Sequence, residues 1–504
     1  MPTRLPFGSL LVPARQISAK LTAAKLLKYA CAVIFLPPAP VRSDWAALPH
    51  GDLLRGLYER KPLKGGDSVQ LRVGPHAQTL VLAVCLAETA TTFERLQSAA
   101  KLARTALDGE PQSLLVVAQG GPKEAVDATV LATLAALEAA AFRFATFKSK
   151  PKRHQPPTRI DLAVPGKLTD LAQTLATAAG NNLARWLTAL PPSTLDAGGY
   201  RRLLAEFARH LDLNFKFYGE AQLKRLGAGA FLAVSQGNAS RDAGIVRLTY
   251  RPGTATRPDV SLVGKGICFD TGGTNLKPHK SMLDMHTDME GSAVAGGSVY
   301  ALHALRSPLA VECWLAITEN RIGPLAYKPQ DVVRACNGTT IQVIHTDAEG
   351  RMVLADTLSL AARDKPRGII DYATLTGACV YALTERYSGA FPTRPGSRDA
   401  LEAAGARSGE RVWCFPMDAD FDSDLESAVA DVLQCTVDGK GDHILAARFL
   451  NRFVPKDIAW LHLDLAAGSR HGGLGHISTE ITGFGVRYTL DLLRSGWPAA
   501  VRSK

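Results

Sequence analysis

Three short segments of this chain gather carboxylates and lysines beside glycines and apolar runs. The first segment, residues 263–273, reads VGKGICFDTGG: an apolar run gives way to glycines, Lys265 lies among them, and Asp270 stands just before Gly272 and Gly273. Glycine turns of this kind let backbone crowd closely around a ligand. Gly264-Lys265-Gly266 is a poor phosphate loop, because the P-loop spacing and a helix start just after the lysine are both missing. The second segment carries Lys277 and then SMLDMHTDMEGSA from Ser281. It reads as a helix on which Asp284 and Asp288, four apart, share a face while His286 points elsewhere. The third, residues 345–351, is HTDAEGR. Read as extended chain, it points Asp347 and Glu349 the same way.

Two carboxylates on one side of a strand end are costly unless a cation neutralises them. Arg351 is one candidate, but one arginine serves two acids poorly, and a divalent metal is the simpler answer. Taken singly, each segment has a blander reading: a D-x-E pair is a solvated turn, and a lysine beside glycines is a surface residue. Together the segments supply four carboxylates and two lysines on predicted strand ends and one helix, an oxygen-rich set suited to two dications such as zinc, manganese or magnesium.

Strands and helices must hold these segments. Residues 1–175 alternate short apolar runs (VQLRV, TLVLAVCLA, SLLVVAQ) with Ala/Leu-rich helical stretches (TTFERLQSAAKLARTAL, DATVLATLAALEAAAFRF), the pattern of a small α/β domain. No cluster of metal-ligand or nucleophile residues occurs there. KSKPKRHQPPT is a loop, RIDLAVP a strand, and LTDLAQTLATAAGNNLARWLTAL a helix ended by Pro191 and Pro192 that bridges into the second part. Residues 176–504 form the larger catalytic α/β domain. Its strand candidates DVSLVGKGICF, AVECWLAIT, RGIIDYATL and IAWLHLDLA, with helices between them, predict a mixed central sheet covered by helices.

Composition sets outer limits. With 46% hydrophobic and 21% charged residues over 504 positions, the chain is an ordinary folded protein, neither disordered nor fibrous. A net charge of +11 permits nucleic-acid binding. However, the basic residues are scattered, the densest group being Lys148, Lys150, Lys152 and Arg153, which reads as a solvated loop. The eight cysteines show no paired spacing and read as reduced core residues of an intracellular protein. No apolar run reaches the roughly 18 residues of a membrane helix. The acid-poor amino terminus fits a transit peptide, but the apolar run 30–36, stopped by Pro37 and Pro38, fits a strand better.

In order and in spacing, VGKGICFDTGG, Lys277, HTDMEGSA, HTDAEGR and DYATLTGA resemble the blocks of the cytosolic leucine aminopeptidase family, over roughly residues 178–492. The family signature N-T-D-A-E-G-R is matched at all but its first position. The resemblance implies a metal-dependent exopeptidase in the cytoplasm that releases amino-terminal residues, leucine or others, by two-metal activation of a water. It implies two divalent ions per subunit, zinc or manganese, with magnesium and cobalt as alternatives. Lys265, Asp270, Asp288 and Glu349 would hold one ion and Asp270, Asp347 and Glu349 the other. Lys277 would stabilise the oxyanion. Arg351 would hold a bicarbonate that shuttles the proton. Met285, Thr374, Leu375, Thr376, Gly377 and Ala466 would surround a peptide substrate, Met285 having a plain core role as its alternative. A homohexamer is implied as well.

Several positions depart from the family pattern. His345 replaces the signature Asn, Thr271 a usual Ser, and Tyr372 an aliphatic residue. Asp442, His443 and Ile444 stand where small residues are usual, and Ser469 lies near the pocket strand. These changes leave the ligand set whole and predict a first-residue preference less strictly leucine-like. Three rival readings are an inactive relative, which would show broken ligands; a DNA-binding protein, for which no base-reading motif is present; and another metal hydrolase, such as a carboxypeptidase or amidase.

Overall fold

Short β-branched runs separated by alanine- and leucine-rich stretches fold as strand and helix in alternation, because each run covers one pleated surface and each stretch has one helical face to bury. A computed structural model describes residues 4–60, 67–87, 89–151, 155–394 and 396–498. The chain divides into two compact units: Pro6–Ala179 together with His471–Glu480, and Gly180–Arg470 together with the residues before Pro6 and the chain from Ile481.

The first unit holds strands β1 (Ala14–Ile17), β2 (Cys31–Leu36), β3 (Val69–Val73), β4 (Thr79–Cys85), β5 (Ser113–Ala118) and β6 (Arg159–Ala163). They form one sheet in the order β1-β6-β5-β2-β4-β3, parallel except where β3 runs against β4. The apolar run 30–36 is thus the central strand β2, and all six residues of CAVIFL are buried, as expected of a parallel strand covered on both faces. Helix α1 (Thr92–Leu107) starts at a capping box in which Thr91 Oγ1 accepts from the Glu94 amide while Glu94 accepts from the Thr91 amide. Helix α2 (Lys123–Ala141) follows β5. Lys148 and Lys150 are exposed, and Lys152 and Arg153 lie outside the described residues.

The second unit is built on β7 (Asn214–Gly219), β8 (Gly244–Tyr250), β9 (Val260–Asp270), β10 (Val311–Asn320), β13 (Gly368–Ala373), β14 (Ser388–Pro392), β15 (Val412–Cys414) and β17 (Ala459–Asp464). The short strands β11 (Val332–Arg334), β12 (Thr340–Gln342) and β16 (Val432–Leu433) make a separate small sheet. The main sheet runs β15-β14-β17-β13-β9-β10-β8-β7, with β17, β13, β9 and β10 parallel and both flanks containing antiparallel pairs. Helix α3 (Leu171–Thr188) bridges the two units in sequence, and α4 (Glu290–Ala304), α5 (Glu349–Ala362), α6 (Gly377–Leu383), α7 (Asp442–Asn451) and α8 (Val486–Arg494) belong to the second.

Helix α4 is buried at every position from Glu290 to Val299, so it packs on all sides. Its small residues permit this: a Cβ on Gly291 would stand 2.1 Å from the Tyr372 carbonyl oxygen, and one on Gly264 of β9 would stand 2.4 Å from Ser292 Cα. Both neighbours are backbone and cannot rotate away. Gly264→Ala is therefore expected to lose at least the about 1–3 kcal/mol that overpacking costs, read as a lower midpoint in chemical denaturation. An unchanged midpoint would mean that α4 can slide off β9.

Two local expectations are corrected. The stretch from Ser281 is not one helix: a single turn at His279–Met282 and a 3-10 turn at Met285–Thr287 precede α4. Asp284 is consequently exposed while Asp288 is buried, and the two do not share a helix face. Residues 345–348 are a turn closed by Ala348 N to His345 O at 3.0 Å, and Glu349 is the first residue of α5. Asp347 and Glu349 therefore converge from a turn and a helix start, not from one extended strand. All eight cysteines are free thiols. Among the described residues, no helix is long and apolar enough to cross a membrane.

Candidate metal centre and active site

Lys265 and Asp270 both lie on β9, five residues apart, an odd spacing that alternation along a strand assigns to opposite faces. The register between β9 and β10 shifts between Thr318 and Asn320: Ile267 pairs with Thr318 but Asp270 pairs with Asn320. This bulge puts one extra residue in β9 and brings both side chains to the same face. The parallel strands β9 and β10 end there, and the segments after β13 and β17 join them, the usual place for a functional site in an α/β sheet.

Asp270, Asp347 and Glu349 each offer a carboxylate oxygen within 4.8 Å of the others. Lys265 Nζ lies 2.8 Å from Asp288 Oδ1 and 3.0 Å from Glu349 Oε1, and donates to the Thr374 carbonyl at 2.9 Å. Lys277 Nζ lies 2.9 Å from Asp270 Oδ2 and 2.5 Å from Asp347 Oδ1. All five expected ligands and Lys277 are thus brought together. The turn at Met285–Thr287 packs against β9. Thr374 donates from Oγ1 to Asp288 Oδ1 at 2.8 Å. Thr376 caps α6 by accepting from the Cys379 amide, Gly377 begins that helix, and Ala466 is buried just past β17.

Four carboxylates face two lysine charges, and burial makes the imbalance costly. Burial, with Lys265 opposing it, pushes the Asp288 carboxyl up to about 8. Burial, with Asp270 and Glu349 adding to it, pushes Asp347 up to about 7. Asp270 is raised by burial and by Glu349. Burial also works against the Glu349 charge, yet Lys265 and Lys277 outweigh it and hold that group below its ordinary range. For Lys265, burial favours the neutral amine, but Asp288, Glu349 and Asp270 outweigh it and raise the pKa. Asp288 Oδ2 and Glu349 Oε2 are buried without a hydrogen-bond partner. Orphaned carboxylate oxygens beside a charge deficit are the donor set a divalent cation fits. A dication there would replace the ammonium charge of Lys265 and leave its nitrogen as a neutral donor.

Several residues that the sequence did not single out position this set. Asn320 Nδ2 donates to Asp270 Oδ1 at 2.8 Å and to the Thr346 carbonyl at 3.0 Å. Thr346 Oγ1 donates to the Gly272 carbonyl at 2.7 Å, tying the glycine turn to the turn that carries Asp347. Asp464 accepts from the Leu375 amide at 3.1 Å and from Thr376 Oγ1 at 2.6 Å, fixing the 374–377 segment. The available signal was slight: Asn320 closes a polar strand end after Thr318 and Glu319, and Asp464 stands between leucines at the end of β17.

The departures find definite places. Tyr372 is buried in β13 with its hydroxyl 2.7 Å from Thr489 Oγ1. Thr271 Oγ1 donates to the Asn320 carbonyl at 2.8 Å, so its hydroxyl braces the glycine turn. His345 is exposed and its Nδ1 accepts from the Asp347 amide at 3.3 Å. His443 meets the Phe415 ring edge-on at 4.4 Å, and Ser469 bridges to Ile481. Arg351, expected to face a bicarbonate, has Nη2 2.8 Å from each oxygen of Asp442.

The description "Cytosol aminopeptidase family, catalytic domain" matches residues 182–490. A "Probable cytosol aminopeptidase" of Parasynechococcus marenigrum (strain WH8102) is 37% identical over 445 residues, covering 86% of this chain and 90% of that one. Another with that name, from Syntrophotalea carbinolica, is 38% identical over 367 residues, covering 70% of this chain and 72% of the other. The solved bottromycin maturation enzyme BotP, in complex with Mn, superposes with a TM-score of 0.80 at 31% identity over 92% of this chain and 99% of that one. The mixed α/β sheet and these matches define the class as a peptide hydrolase. Within that class the chain belongs to the cytosol aminopeptidase family.

Proposed function

We propose that this chain is a metal-dependent aminopeptidase whose ion-holding residues are Lys265, Asp270, Asp288, Asp347 and Glu349. The observation that carries the reading is the convergence of Asp270, Asp347 and Glu349 within 4.8 Å beside two orphaned carboxylate oxygens. Two dications, when bound, would supply Lewis-acid activation of a water and of the substrate carbonyl, and a seat for the free amine. Zinc or manganese suits this mixed nitrogen and oxygen set, with cobalt and magnesium as alternatives.

The protein's own residues do the remaining work. Lys277 brings an ammonium group to the acid cluster, where it donates to the oxygen that gains charge as water adds to the peptide carbonyl. The 374–377 segment, fixed by Asp464, lines the substrate with Met285 and Ala466 and sets its angle of approach. Arg351 orients an anion beside the first turn of α5. Because the Asp442 charge is turned to Arg351, its effect on first-residue preference is indirect. A homohexamer in the cytoplasm is the assembly and setting that go with this reading, and light scattering at micromolar protein tests the former.

The test is hydrolysis of peptides with free and acetylated amino termini, with each metal in turn. An amide nitrogen is a poor metal ligand and a free amine a good one, so acetylation is expected to block cleavage of an otherwise good substrate. Comparably fast cleavage of acetylated forms would sink the aminopeptidase reading. A panel of first residues settles side-chain preference in the same experiment.

A further inference from the structure

Arg351 is 2% exposed and stands two residues after Glu349 in the first turn of α5. One guanidinium nitrogen, Nη2, lies 2.8 Å from both Oδ1 and Oδ2 of Asp442, and Nη1 donates to the Gln434 carbonyl at 3.2 Å. Since a single nitrogen serves both oxygens of Asp442, each oxygen keeps a further lone pair for another donor. Asp442 is the first residue of α7, and Gly441 before it, at φ +60°, turns the chain into that helix. Its side chain is 24% exposed, so one side stays open. Through Arg351 it stands one side chain away from the Glu349 turn. The titratable and charged groups that feel its charge are Arg351, His345, His443 and Cys435.

Addition of water to a carbonyl with departure of an amine needs a group that takes a proton and returns it. The four clustered carboxylates are committed to ions. His345 is poorly placed to be that group, because its Nδ1 lone pair accepts the Asp347 amide and the neutral ring therefore carries its proton on Nε2. Asp442 is a carboxylate outside the ion-holding set, anchored by a permanent charge, with free lone pairs.

We infer that Asp442, held by Arg351, is the resident carboxylate that takes the proton of the attacking water and returns it to the departing amine. The water oxygen forms a bond to the carbonyl carbon as one of its protons passes to Asp442. The C–N bond then breaks as that proton passes to the amine nitrogen, and Asp442 ends ionised as it began. A soluble oxyanion such as bicarbonate would have to displace this attached carboxylate from Arg351. The inference rests on the aminopeptidase reading above.

The metal-loaded enzyme tests it on a free-amine peptide. Asp442→Asn, which preserves shape, is expected to lower kcat by ~10²–10⁴ with wild-type metal content. Asp442→Ala opens the space against Arg351 and is expected to regain at least about tenfold in rate on adding formate or bicarbonate, which wild type does not. A second readout needs no turnover: metal-stripped Asp442→Ala should bind ¹³C-labelled bicarbonate, seen by NMR, and metal-stripped wild type should not. Wild-type kcat in folded Asp442→Asn overturns the proton role while leaving the aminopeptidase reading intact. Bicarbonate bound equally by wild type and Asp442→Ala overturns the occupancy of Arg351. Wild-type protein inert to every free-amine peptide and every metal overturns the aminopeptidase reading and the proton role with it.

Discussion

Glu349→Ala is expected to abolish peptide hydrolysis and to strip bound metal, and Asp347→Ala to do the same. Glu349 is 1% exposed, touches Lys265 at 3.0 Å, and has its other oxygen buried without a partner. It also lies within 4.8 Å of Asp270 and Asp347, so it serves both halves of the cluster. Losing a group that only supports a ligand costs ~10–100-fold, and losing a residue central to the set should cost more than that. Metal content by mass spectrometry and turnover on the same sample check both parts. Full activity in either folded variant would refute the ligand set.

Lys277→Ala is expected to lower kcat by ~10²–10³, the cost of losing one oxyanion donor, while metal content stays close to wild type. Lys277 reaches the cluster through Asp270 and Asp347, but its side chain is 14% exposed against 4% for Lys265, as suits a group that must meet a substrate. Burial lowers its tendency to hold a proton, yet the surrounding carboxylates outweigh burial and keep it charged. A charged Lys277 is what the proposed oxyanion role requires. Metal and activity falling together would move Lys277 into the ligand set.

The frame of the fold was legible because buried parallel strands are written as continuous apolar runs: β2, β4, β5, β9, β10, β13 and β17 all coincide with such runs. The types of the site residues were legible too, since carboxylates and lysines near glycines stand out from apolar surroundings. Their convergence was not. It depends on a bulge in β9 that no residue type announces, and that alone reverses the facing of Asp270 relative to Lys265. The stretch after Ser281 misled because its apolar and acidic spacing satisfies a helix, whereas the folded chain breaks there and only Asp288 is buried beside Lys265. The pairing of Arg351 with Asp442, 91 positions apart, is tertiary and leaves no local trace. Asn320 and Asp464 were visible only as polar residues at strand ends, which is also how unremarkable strand ends look.

The ten residues His471–Glu480 leave the larger unit to join the smaller one, and the chain returns at Ile481, which bridges directly to Ser469. Within the smaller unit, the point where a Cβ on Gly475 would stand is 3.8 Å from Phe93 and 3.9 Å from Leu96 of α1. For protein engineering, the seam between the units is therefore crossed more than once. A gene fragment ending near residue 179 would omit a piece of the smaller unit, and a single deletion would leave that piece stranded on the larger. Joining Arg470 to Ile481 with a short turn would keep the later residues of the larger unit in one stretch of chain and release His471–Glu480. The ten released residues belong with the smaller unit, so that unit is expressed whole only from a gene that carries both stretches.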